Sequence, residues 1–413
     1  MITVRPMLDI RTITEDDVDL FRRRVSRGFG DDAEMTDEGR ARFDAIFEHD
    51  RTFAAFDGDD IVGTAAGFTL GVTVPGGANV AMGGTTVVTV QPTHRRQGLL
   101  RSMMAAHLDD VAAANEPLAG LWASEGSIYG RFGYGPATFR HSVSVDTRNI
   151  AFHGAAPDGQ LKLIEAEEAD PLERHLYEQA RPSRVGFLTR SDAWWSHRLI
   201  ADPESWRDGH SAQRHLVYEE SGEVTGYARY RQKNKWEDFI PDGEVDVVEV
   251  ITLTDQARRA IWRLLTSIDL YTRVVAWNMP IDDPLPLEVT ESRLVSRKLA
   301  DALWLRIMDV PAALGARAYE ADGDVVFELT DPAGRDATAV YRLEVGDGDV
   351  VCERVDERAE VAMANDVLGS LYLGGGDALA MASAGLIVGD EAAVRQLHRL
   401  MRTDRAPWCP EVF

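Results

Sequence analysis

The chain has 413 residues, which at roughly 100–200 residues per domain predicts two to four domains. Its 44 basic and 68 acidic residues give a net charge of -24; this excess argues against a general nucleic-acid binder, which needs a basic face, and favours cationic partners. No apolar run approaches the roughly 18 residues of a membrane span, and two cysteines are too few for a disulfide framework, so we expect a cytoplasmic protein.

Helix and strand signals alternate through the first third of the chain. Thr14 and Asp17 have the spacing of a capping box ahead of apolar residues at helical intervals, and Asp57-Gly58-Asp59 is a strong hairpin signal. The elements predicted here are a strand opening at Val4, a helix after Thr14, a helix over 36–49 that buries Phe43, Ile46 and Phe47, strands over 52–56, 61–74, 85–90 and 118–124, and a helix over 99–114.

The middle of the chain repeats this order more loosely, and the last third is a separate segment. The predicted middle elements are strands over 161–166, 212–218, 224–230, 245–253 and 272–277, and helices over 171–180 and 255–270. The strands over 212–218 and 224–230 form a predicted hairpin around Ser221-Gly222, and the strand over 245–253 leads into a helix capped by Thr254. A proline-rich stretch over 280–286 marks a boundary. After it we predict strands over 303–310, 325–329, 339–345 and 350–354, and helices over 364–372 and 391–401. The last eight residues hold two prolines and two large aromatic residues, which predicts a docked C-terminus.

A buried strand, an arginine-rich turn and a helix follow one another over residues 88–101. Backbone N–H groups of such a turn and of the helix N-terminus form an anion site. Arg95, Arg96 and Arg101 add positive charge there, and Gly98 lets the backbone approach a diphosphate closely. The stretch lacks the spacing of a Walker A loop or a dinucleotide fingerprint, and the glycine-rich residues 130–135 do not fit that fingerprint either.

Residues 88–101 resemble motif A of the GNAT acyltransferases, in which a glycine-containing turn wraps the pyrophosphate of coenzyme A. Arg95, Gly98 and Leu100 occupy the motif positions, and Leu100 departs from the small residue usual there. Over its full length the stretch resembles one GNAT branch, the enhanced intracellular survival (Eis) family of N-acetyltransferases. Further matches to that family lie at residues 123–137, at residues 368–375 and at the terminal Phe413.

The resemblance implies an α+β fold of the α/β GNAT type. Two tandem GNAT-like domains, residues 1–150 and 151–290, would precede a sterol-carrier-like domain, residues 291–413, whose C-terminal tail returns to the active site. Only the first domain would bind acetyl-CoA. The residues support this, because the corresponding turn at 254–259 has no glycine and contains Asp255, whose charge would repel a pyrophosphate. The family also implies a homo-oligomer, a hexamer.

The same resemblance implies transfer of the acetyl group of acetyl-CoA to a primary amine of a cationic, aminoglycoside-like acceptor. It makes Tyr129 the general acid and the free α-carboxylate of Phe413 the general base. The residues expected to bind the donor are Val88, Thr89, Val90, Arg95, Arg96, Gln97, Gly98, Leu99, Leu100, Arg101, Ser124 and Glu125.

An acidic and aromatic acceptor pocket is expected from the resemblance at Phe29, Asp31 and Glu411. Carboxylates there would pair with the ammonium groups of the acceptor, although a solvated loop position is the alternative for each of them. Val412 occupies the place where the family often has an acid. No metal is expected, because the histidines lack zinc spacing and the aspartates lack the spacing of an EF-hand.

Two other functions fit the sequence. The same chemistry could act on a lysine or N-terminus of a peptide. In a different class, the chain could be a non-catalytic lipid- or partner-binding module in which Tyr129 is a packed aromatic residue. The intact turn at 95–98 counts against this module, because a vestigial site has no reason to keep a diphosphate-binding turn. The first ten residues lack the apolar core of a secretory signal, which leaves a non-classical export route open.

Overall fold

The computed structural model describes residues 8–31 and 35–413, and these fall into two units. The first unit combines the described residues up to Ala137 with Leu303–Thr403 and Glu411–Phe413, and the second combines Thr138–Ala302 with Asp404–Pro410. None of the helices in the described ranges is long and apolar enough to cross a membrane. The strand expected at Val4 lies outside the described residues.

The N-terminal segment of the first unit follows the predicted order. Its strands are β1 Asp9–Thr12, β2 Thr52–Asp57, β3 Asp60–Thr73, β4 Asn79–Val90, β5 Leu118–Trp122 and β6 Gly135–Pro136, and its helices are α1 Val18–Gly28, α2 Asp37–Ile46, α3 Leu99–Ala113 and α4 Gly126–Tyr129. The capping box forms, since the N–H and the hydroxyl of Thr14 both donate to Asp17 at 2.9 Å. Helix α1 buries Val18, Phe21 and Val25, as its spacing predicts.

Helix α2 ends at Ile46, before the predicted end at residue 49. Thr36 caps its start by accepting the N–H of Gly39 at 3.1 Å. Phe47 is extended, and its ring stacks on Phe43 with 3.7 Å between centroids. The prediction that Phe43, Ile46 and Phe47 are buried was wrong, because the stacked rings lie at the edge of the core and all three residues are half-buried.

The second unit contains the predicted hairpin and strand-into-helix step. Its strands are β7 Phe139–Asp146, β8 Gln160–Ile164, β9 Arg214–Glu220, β10 Glu223–Lys233, β11 Trp236–Glu237, β12 Ile240–Pro241, β13 Gly243–Thr252, β14 Tyr271–Pro280 and β15 Val295–Asp301, and its helices are α5 Ala166–Ala180, α6 Asp192–Trp194, α7 Asp255–Leu265 and α8 Leu285–Glu288. The hairpin turns at Ser221 and Gly222, with Glu220 opposite Glu223. Helix α7 ends at Leu265 rather than at residue 270.

The remaining elements of the first unit come from the last third of the chain. Their strands are β16 Leu303–Ile307, β17 Gly323–Thr330, β18 Ala339–Gly346, β19 Asp349–Arg354, β20 Val361–Ala364 and β21 Ile387–Gly389, and their helices are α9 Val310–Ala316, α10 Asn365–Tyr372, α11 Ala378–Ser383 and α12 Glu391–Met401. Strand β16 is shorter than the predicted 303–310, because Asp309 accepts the N–H of Ala312 at 3.0 Å and starts α9.

Among the described residues, each unit has a seven-stranded sheet. The strand order is β1-β2-β3-β4-β5-β16-β6 in the first unit and β15-β7-β14-β13-β10-β9-β8 in the second, and a separate sheet of the first unit has the order β19-β18-β17-β20-β21. Strand β16 pairs antiparallel with β5, with Leu303 opposite Trp122 and Ile307 opposite Leu118. The sequence did not predict this insertion.

Helices cover both faces of the first unit's main sheet. Ala54 of β2 packs into a cluster with Phe21 and Val25 of α1. Its neighbour Ala55 packs into a cluster with Leu99 and Met103 of α3. Because successive strand residues point to opposite faces, α1 and α3 lie on opposite sides of the sheet, and the site described next lies where β4 passes between them.

Candidate active site

Strands β4 and β5 run parallel and then part. Their pairing ends with Thr85 opposite Leu121, whereas within the described residues 86–90 of β4 pair with β3 alone. A bulge in this stretch puts Val87 at a φ of 45°. The side of residues 86–90 that faces away from β3 therefore offers backbone N–H and C=O groups to a ligand, as the edge of a sheet does.

The turn between β4 and α3 is open at its centre. Arg96 and Gly98 have φ angles of 63° and 86°. Gly98 is the N-cap of α3 and makes no side-chain cap, so the first N–H groups of α3 remain available to an anion. A β-carbon on Gly98 would meet no described atom within 4 Å, so the backbone angle rather than crowding requires glycine here.

The turn carries three exposed cations. Arg95, Arg96 and Arg101 are exposed, and within the described part of the chain none of them has an acidic partner. Arg51 of the same unit, by contrast, pairs with Glu116 at 2.7 Å. Unpaired cations beside an uncapped helix N-terminus, in a chain of charge -24, form a local site suited to a diphosphate.

The other residues expected to bind the donor differ in whether they offer backbone groups or exposed side chains to it. Leu99, Val88 and Val90 pack into the cluster under α3, so they offer their backbone groups only. Thr89 shares a hydrogen bond with Thr64, with 2.7 Å between the hydroxyl oxygens. Leu100 is half-buried, and the exposed members of the set are Gln97, Ser124 and Glu125.

Tyr129 ends helix α4, shortly after β5, and only 6% of it is exposed. Burial raises the pKa of its phenol above the ordinary value; a hydrogen bond with Ser124 opposes this shift, and the charge of Glu125 adds to it. The ring meets Tyr134 edge-on, with 6.4 Å between centroids. Tyr129 therefore stays protonated at neutral pH and can act as a proton donor.

A buried polar chain that the sequence analysis missed lies behind Tyr129. The hydroxyl of Thr85 lies 3.0 Å from the hydroxyl of Tyr134 and 2.7 Å from Nε2 of His107. Burial raises the pKa of Tyr134 to about 12 and, with the charge of Arg51, lowers the pKa of His107 to about 3. Both side chains are therefore neutral at pH 7. The one available signal was His107 itself, a polar residue on the apolar face of α3.

The C-terminus docks beside the point where β4 and β5 part. Ring carbons of Phe413 lie 3.0 and 3.3 Å from the position that a β-carbon would take on Gly84, the residue before Thr85. The ring also meets Phe68 edge-on, at 6.5 Å. Glu411 is 4% exposed, so it is far less open to solvent than a typical pocket carboxylate.

The end of α1 lies against the bulged part of β4. A β-carbon on Gly28 would lie 2.6 Å from the Thr89 side chain, so glycine permits this close approach. Phe29 follows and is 60% exposed. The exposed Asp31 is held in place by its N–H, which donates to the carbonyl of Ser26 at 2.9 Å. The structure thus brings Phe29 and Asp31 to the same strand as the docked Phe413.

Comparison with known families defines the class of protein. Residues 9–137 and 186–308 each match a model of the GNAT acetyltransferase domain, and residues 310–410 match a sterol carrier protein domain. The chain is therefore a GNAT acetyltransferase with a C-terminal sterol carrier domain, and the predicted fold class is confirmed.

Individual relatives narrow this class to a family. The chain is 38% identical over 357 residues to N-acetyltransferase Eis of Mycobacterium tuberculosis, which covers 84% of each chain. It is 38% identical over 409 residues to an N-acetyltransferase of Streptomyces avermitilis, covering 98% of this chain and 99% of the relative. The crystal structure of Eis1 from Mycobacterium abscessus matches with a TM-score of 0.82 at 30% identity, over 98% of this chain and 100% of that one. The chain belongs to the Eis family of GNAT N-acetyltransferases, as predicted.

Proposed function

We propose that this N-acetyltransferase transfers the acetyl group of acetyl-CoA to primary amines of cationic acceptors of the aminoglycoside class. The observation that carries the proposal is the stretch 86–90 of β4, which among the described residues has no strand partner on its β5 side. This stretch leads into the turn whose three arginines have no acidic partner there. An extended pantetheine chain fits such an edge, and a diphosphate fits the turn. Acetyl-CoA supplies the thioester acyl group, and this chain supplies the groups that hold it.

The donor-binding residues act in two ways under this proposal. Arg95, Arg96 and Arg101 neutralise the phosphates, and the N–H groups of the turn and of α3 donate to them. The free N–H groups of β4 stabilise negative charge that develops on the thioester oxygen. Ser124 and Glu125 lie beside Tyr129. The hydrogen bond with Ser124 lowers the pKa of the phenol, and the charge of Glu125 raises it.

The proton transfers follow from two groups. The amine nitrogen forms a bond to the acyl carbon as the carbon–sulfur bond breaks, and the phenol of Tyr129 gives its proton to the departing thiolate. The α-carboxylate of Phe413, ionised at neutral pH because its ordinary pKa is about 3.3–3.7, accepts the ammonium proton through water. The nitrogen loses a second proton as the amide forms, and water carries that proton to Tyr129. The carboxylate gives its proton to solvent, so one proton is released per acetyl group transferred.

Acceptor choice rests on charge and aromatic contact. Asp31 and the exposed ring of Phe29 lie beside β4 and can contact an acceptor directly, whereas Glu411 is buried near the docked terminus and adds only its charge. Together with a net charge of -24, they attract polycationic amines. The homohexamer and the cytoplasmic compartment expected from the family resemblance are part of the same proposal.

The test is release of coenzyme A thiol from acetyl-CoA, using protein with an unmodified C-terminus. Aminoglycosides, polyamines and a lysine peptide serve as acceptors. We expect turnover with the polycationic small molecules. Turnover with the peptide alone would instead support the peptide acetyltransferase. No thiol release with any acceptor, together with no binding of acetyl-CoA, would overturn the catalytic proposal and favour the binding module.

A matched pair of extensions tests the carboxylate. One added glycine after Phe413 moves the charge away from the docked ring, and we expect kcat to fall at least tenfold with KM for acetyl-CoA unchanged. One added glycine at the N-terminus is the control and should leave kcat as it is. Equal kcat in both extended proteins would contradict the role of Phe413.

A further inference from the structure

Arg306 is a buried guanidinium in the middle of β16, and it reaches the turn that carries Tyr129. Its Nη1 donates to the carbonyl of Phe132 at 2.8 Å. That turn is tight, since the N–H of Gly133 donates to the carbonyl of Gly130 at 2.9 Å. A β-carbon on Gly133, whose φ is 79°, would overlap Nη1 of Arg306. Glycine at this position therefore serves both the backbone angle and the approach of the arginine.

The guanidinium is itself fixed by two acids from the last third of the chain, Asp331 and Asp336, and the carboxylate of Asp336 accepts from Nη2 at 3.2 Å. Asp331 accepts from Nη1 at 2.7 Å and from Nη2 at 3.1 Å, and the two side chains are 0% and 3% exposed. Asp331 also accepts the N–H groups of Ala333 and Arg335. Burial acts to raise the pKa of Asp331, but the hydrogen bonds and charge of Arg306 outweigh it and hold the pKa below its ordinary value.

Stability alone does not explain this buried pair. Replacing a buried ion pair by well-packed apolar residues is often neutral or stabilising, because both charges must leave water. Other contacts also hold β16 in place. The side chain of Asn365 pairs with both backbone groups of Ile307, at 3.0 and 2.9 Å, and Gly369 lies against the carbonyl of Leu305. What Arg306 adds is a fixed direction for the Phe132 carbonyl.

We propose that Arg306, held by Asp331, is a positioning residue that fixes the Tyr129 turn in the geometry from which the phenol donates its proton. The inference rests on the proposed function, because it takes Tyr129 as the general acid. It assigns a task to the strand inserted beside β5: β16 brings into the sheet a side chain that clamps the turn following that strand. The guanidinium is fully buried, so it acts on turnover by positioning the turn that carries Tyr129.

A double-mutant cycle tests the proposal in the full chain. Arg306→Lys keeps the charge but loses the fork that joins Phe132 to Asp331. We expect its kcat to fall 10- to 50-fold while KM for acetyl-CoA changes less than twofold. In the Tyr129→Phe background the same substitution should change kcat less than twofold, because no phenol is left to position. If Arg306→Lys does not fold, Asp331→Asn is put through the same cycle.

Arg317→Lys is the matched control. Arg317 is another buried guanidinium of the first unit that donates to backbone carbonyls, those of Tyr372 and Met401, at 2.6 and 3.3 Å. We expect both Arg306→Lys and Arg317→Lys to lower Tm, and we expect Arg317→Lys to leave kcat within twofold of the wild-type value. An equal loss of kcat from Arg306→Lys in both backgrounds would show a merely structural role and overturn the inference. Full kcat in Tyr129→Phe alone would overturn the proposed acid, and the role of Arg306 with it.

Discussion

The two units contain parallel strand pairs that part in the same way and lead to different turns. In the first unit the pairing of β4 with β5 stops at Thr85, and in the second the pairing of β13 with β14 stops at Asp246. Each of these strands also has a register shift against its antiparallel neighbour: β4 against β3, and β13 against β10. Parting and bulging are therefore features that both sheets share, and they do not distinguish the two units.

The helix that follows each strand shows the difference. Helix α3 starts at Gly98 without a side-chain cap, whereas the hydroxyl of Thr254 accepts the N–H of Ala257 at 3.1 Å and caps α7. Asp255 adds a negative charge to the first turn of α7. Since an acid at a helix N-terminus interacts with the same N–H groups that would hold a phosphate, α7 already satisfies the end that α3 leaves open.

Strands β4 and β13 also differ in the residues that follow the end of the parallel pairing. Glu249 of β13 is buried and accepts from Arg229 at 2.7 Å and from Tyr227 at 2.6 Å, and it also pairs with Arg190. Residues 86–90 of β4 have no such cluster within the described residues. We infer from this comparison that the second unit keeps the GNAT fold without binding acetyl-CoA.

Replacing Tyr129 should give the largest effect. Tyr129→Phe removes the proposed proton donor and keeps the ring against Tyr134, so we expect kcat to fall about 10²–10⁴-fold at unchanged KM for acetyl-CoA. Steady-state thiol release measures both. Tyr230→Phe, a buried tyrosine of the second unit, is the control and should keep full activity.

The pH profile of the wild-type enzyme checks the same assignment. Because burial raises the pKa of Tyr129, the acid form persists above the ordinary tyrosine pKa of about 10, and kcat should fall only at higher pH than that. Tyr129→Phe should lack this alkaline limb. If the alkaline limb is still present in Tyr129→Phe, the limb belongs to the titration of another group.

Removing the charge of Glu249 should destabilise the second unit without affecting catalysis. Glu249→Gln leaves Arg190 and Arg229 buried without their carboxylate, which costs about 3–5 kcal/mol of folding free energy. Urea unfolding at pH 7 measures the loss. Glu219→Gln, which removes a partly exposed pairing with Lys162, is the control and should change stability by less than about 1 kcal/mol.

The dependence of stability on low pH provides a second test of Glu249. Burial opposes ionisation of Glu249, but the charges of Arg190 and Arg229 prevail and lower its pKa to about 2. A depressed carboxyl pKa stabilises the fold above the unfolded value of about 4.3, and this stability is lost as pH falls from there to about 2. The wild type should lose stability in this window and Glu249→Gln should lose less; parallel curves would contradict the assignment.

Placing an acid in the open turn should make the first unit resemble the second. Gly98→Asp adds about 1 kcal/mol of strain at a left-handed backbone angle and about 1 kcal/mol of repulsion toward a phosphate. The strain is present with and without acetyl-CoA and lowers stability, so only the repulsion weakens binding. Acetyl-CoA should bind roughly fivefold more weakly by calorimetry, since 1.4 kcal/mol is a factor of ten. Gly98→Ala separates the strain from the charge.

Gly222→Asp is the matched control for that substitution. Gly222 has a φ of 84°, and a β-carbon placed on it would also meet no described atom within 4 Å, but it lies in the hairpin between β9 and β10. It should carry the same strain and leave acetyl-CoA binding unchanged. Equal weakening by both aspartates would mean that the turn at Gly98 does not hold the donor.

Local signals in the sequence predicted local structure well. The capping box at Thr14, the hairpin at Gly222 and the helix after Gly98 depend on residues a few positions apart, and each forms as predicted. The fold class followed from family motifs, and the ring of Phe413 lies against Gly84 of β4. The role of each site residue remains a prediction.

Those local signals do not predict contacts between residues that are far apart in the sequence. The apolar residues of β16 predict a strand, but nothing in them states that Leu305 pairs with Gly120 of β5. The link between Thr85 and His107 joins a strand to a helix, and the ion pair of Arg306 with Asp331 joins two segments far from the motif that contains Tyr129. Such contacts depend on the assembled sheet, so the residues that support Tyr129 emerged only from the structure.

The smallest expected effect concerns the cap of α7. Thr254→Ala frees the N–H of Ala257 and should cost about 1 kcal/mol of stability, measured by urea unfolding. Thr36→Ala removes an equivalent cap, to Gly39 of α2, and should cost a similar amount. If an uncapped N-terminus were enough to make a donor site, Thr254→Ala would gain a second acetyl-CoA per chain. We expect calorimetry to give one, because Asp255 still repels a phosphate and the Glu249 cluster remains; a stoichiometry of two would show that the cap alone separates the two units.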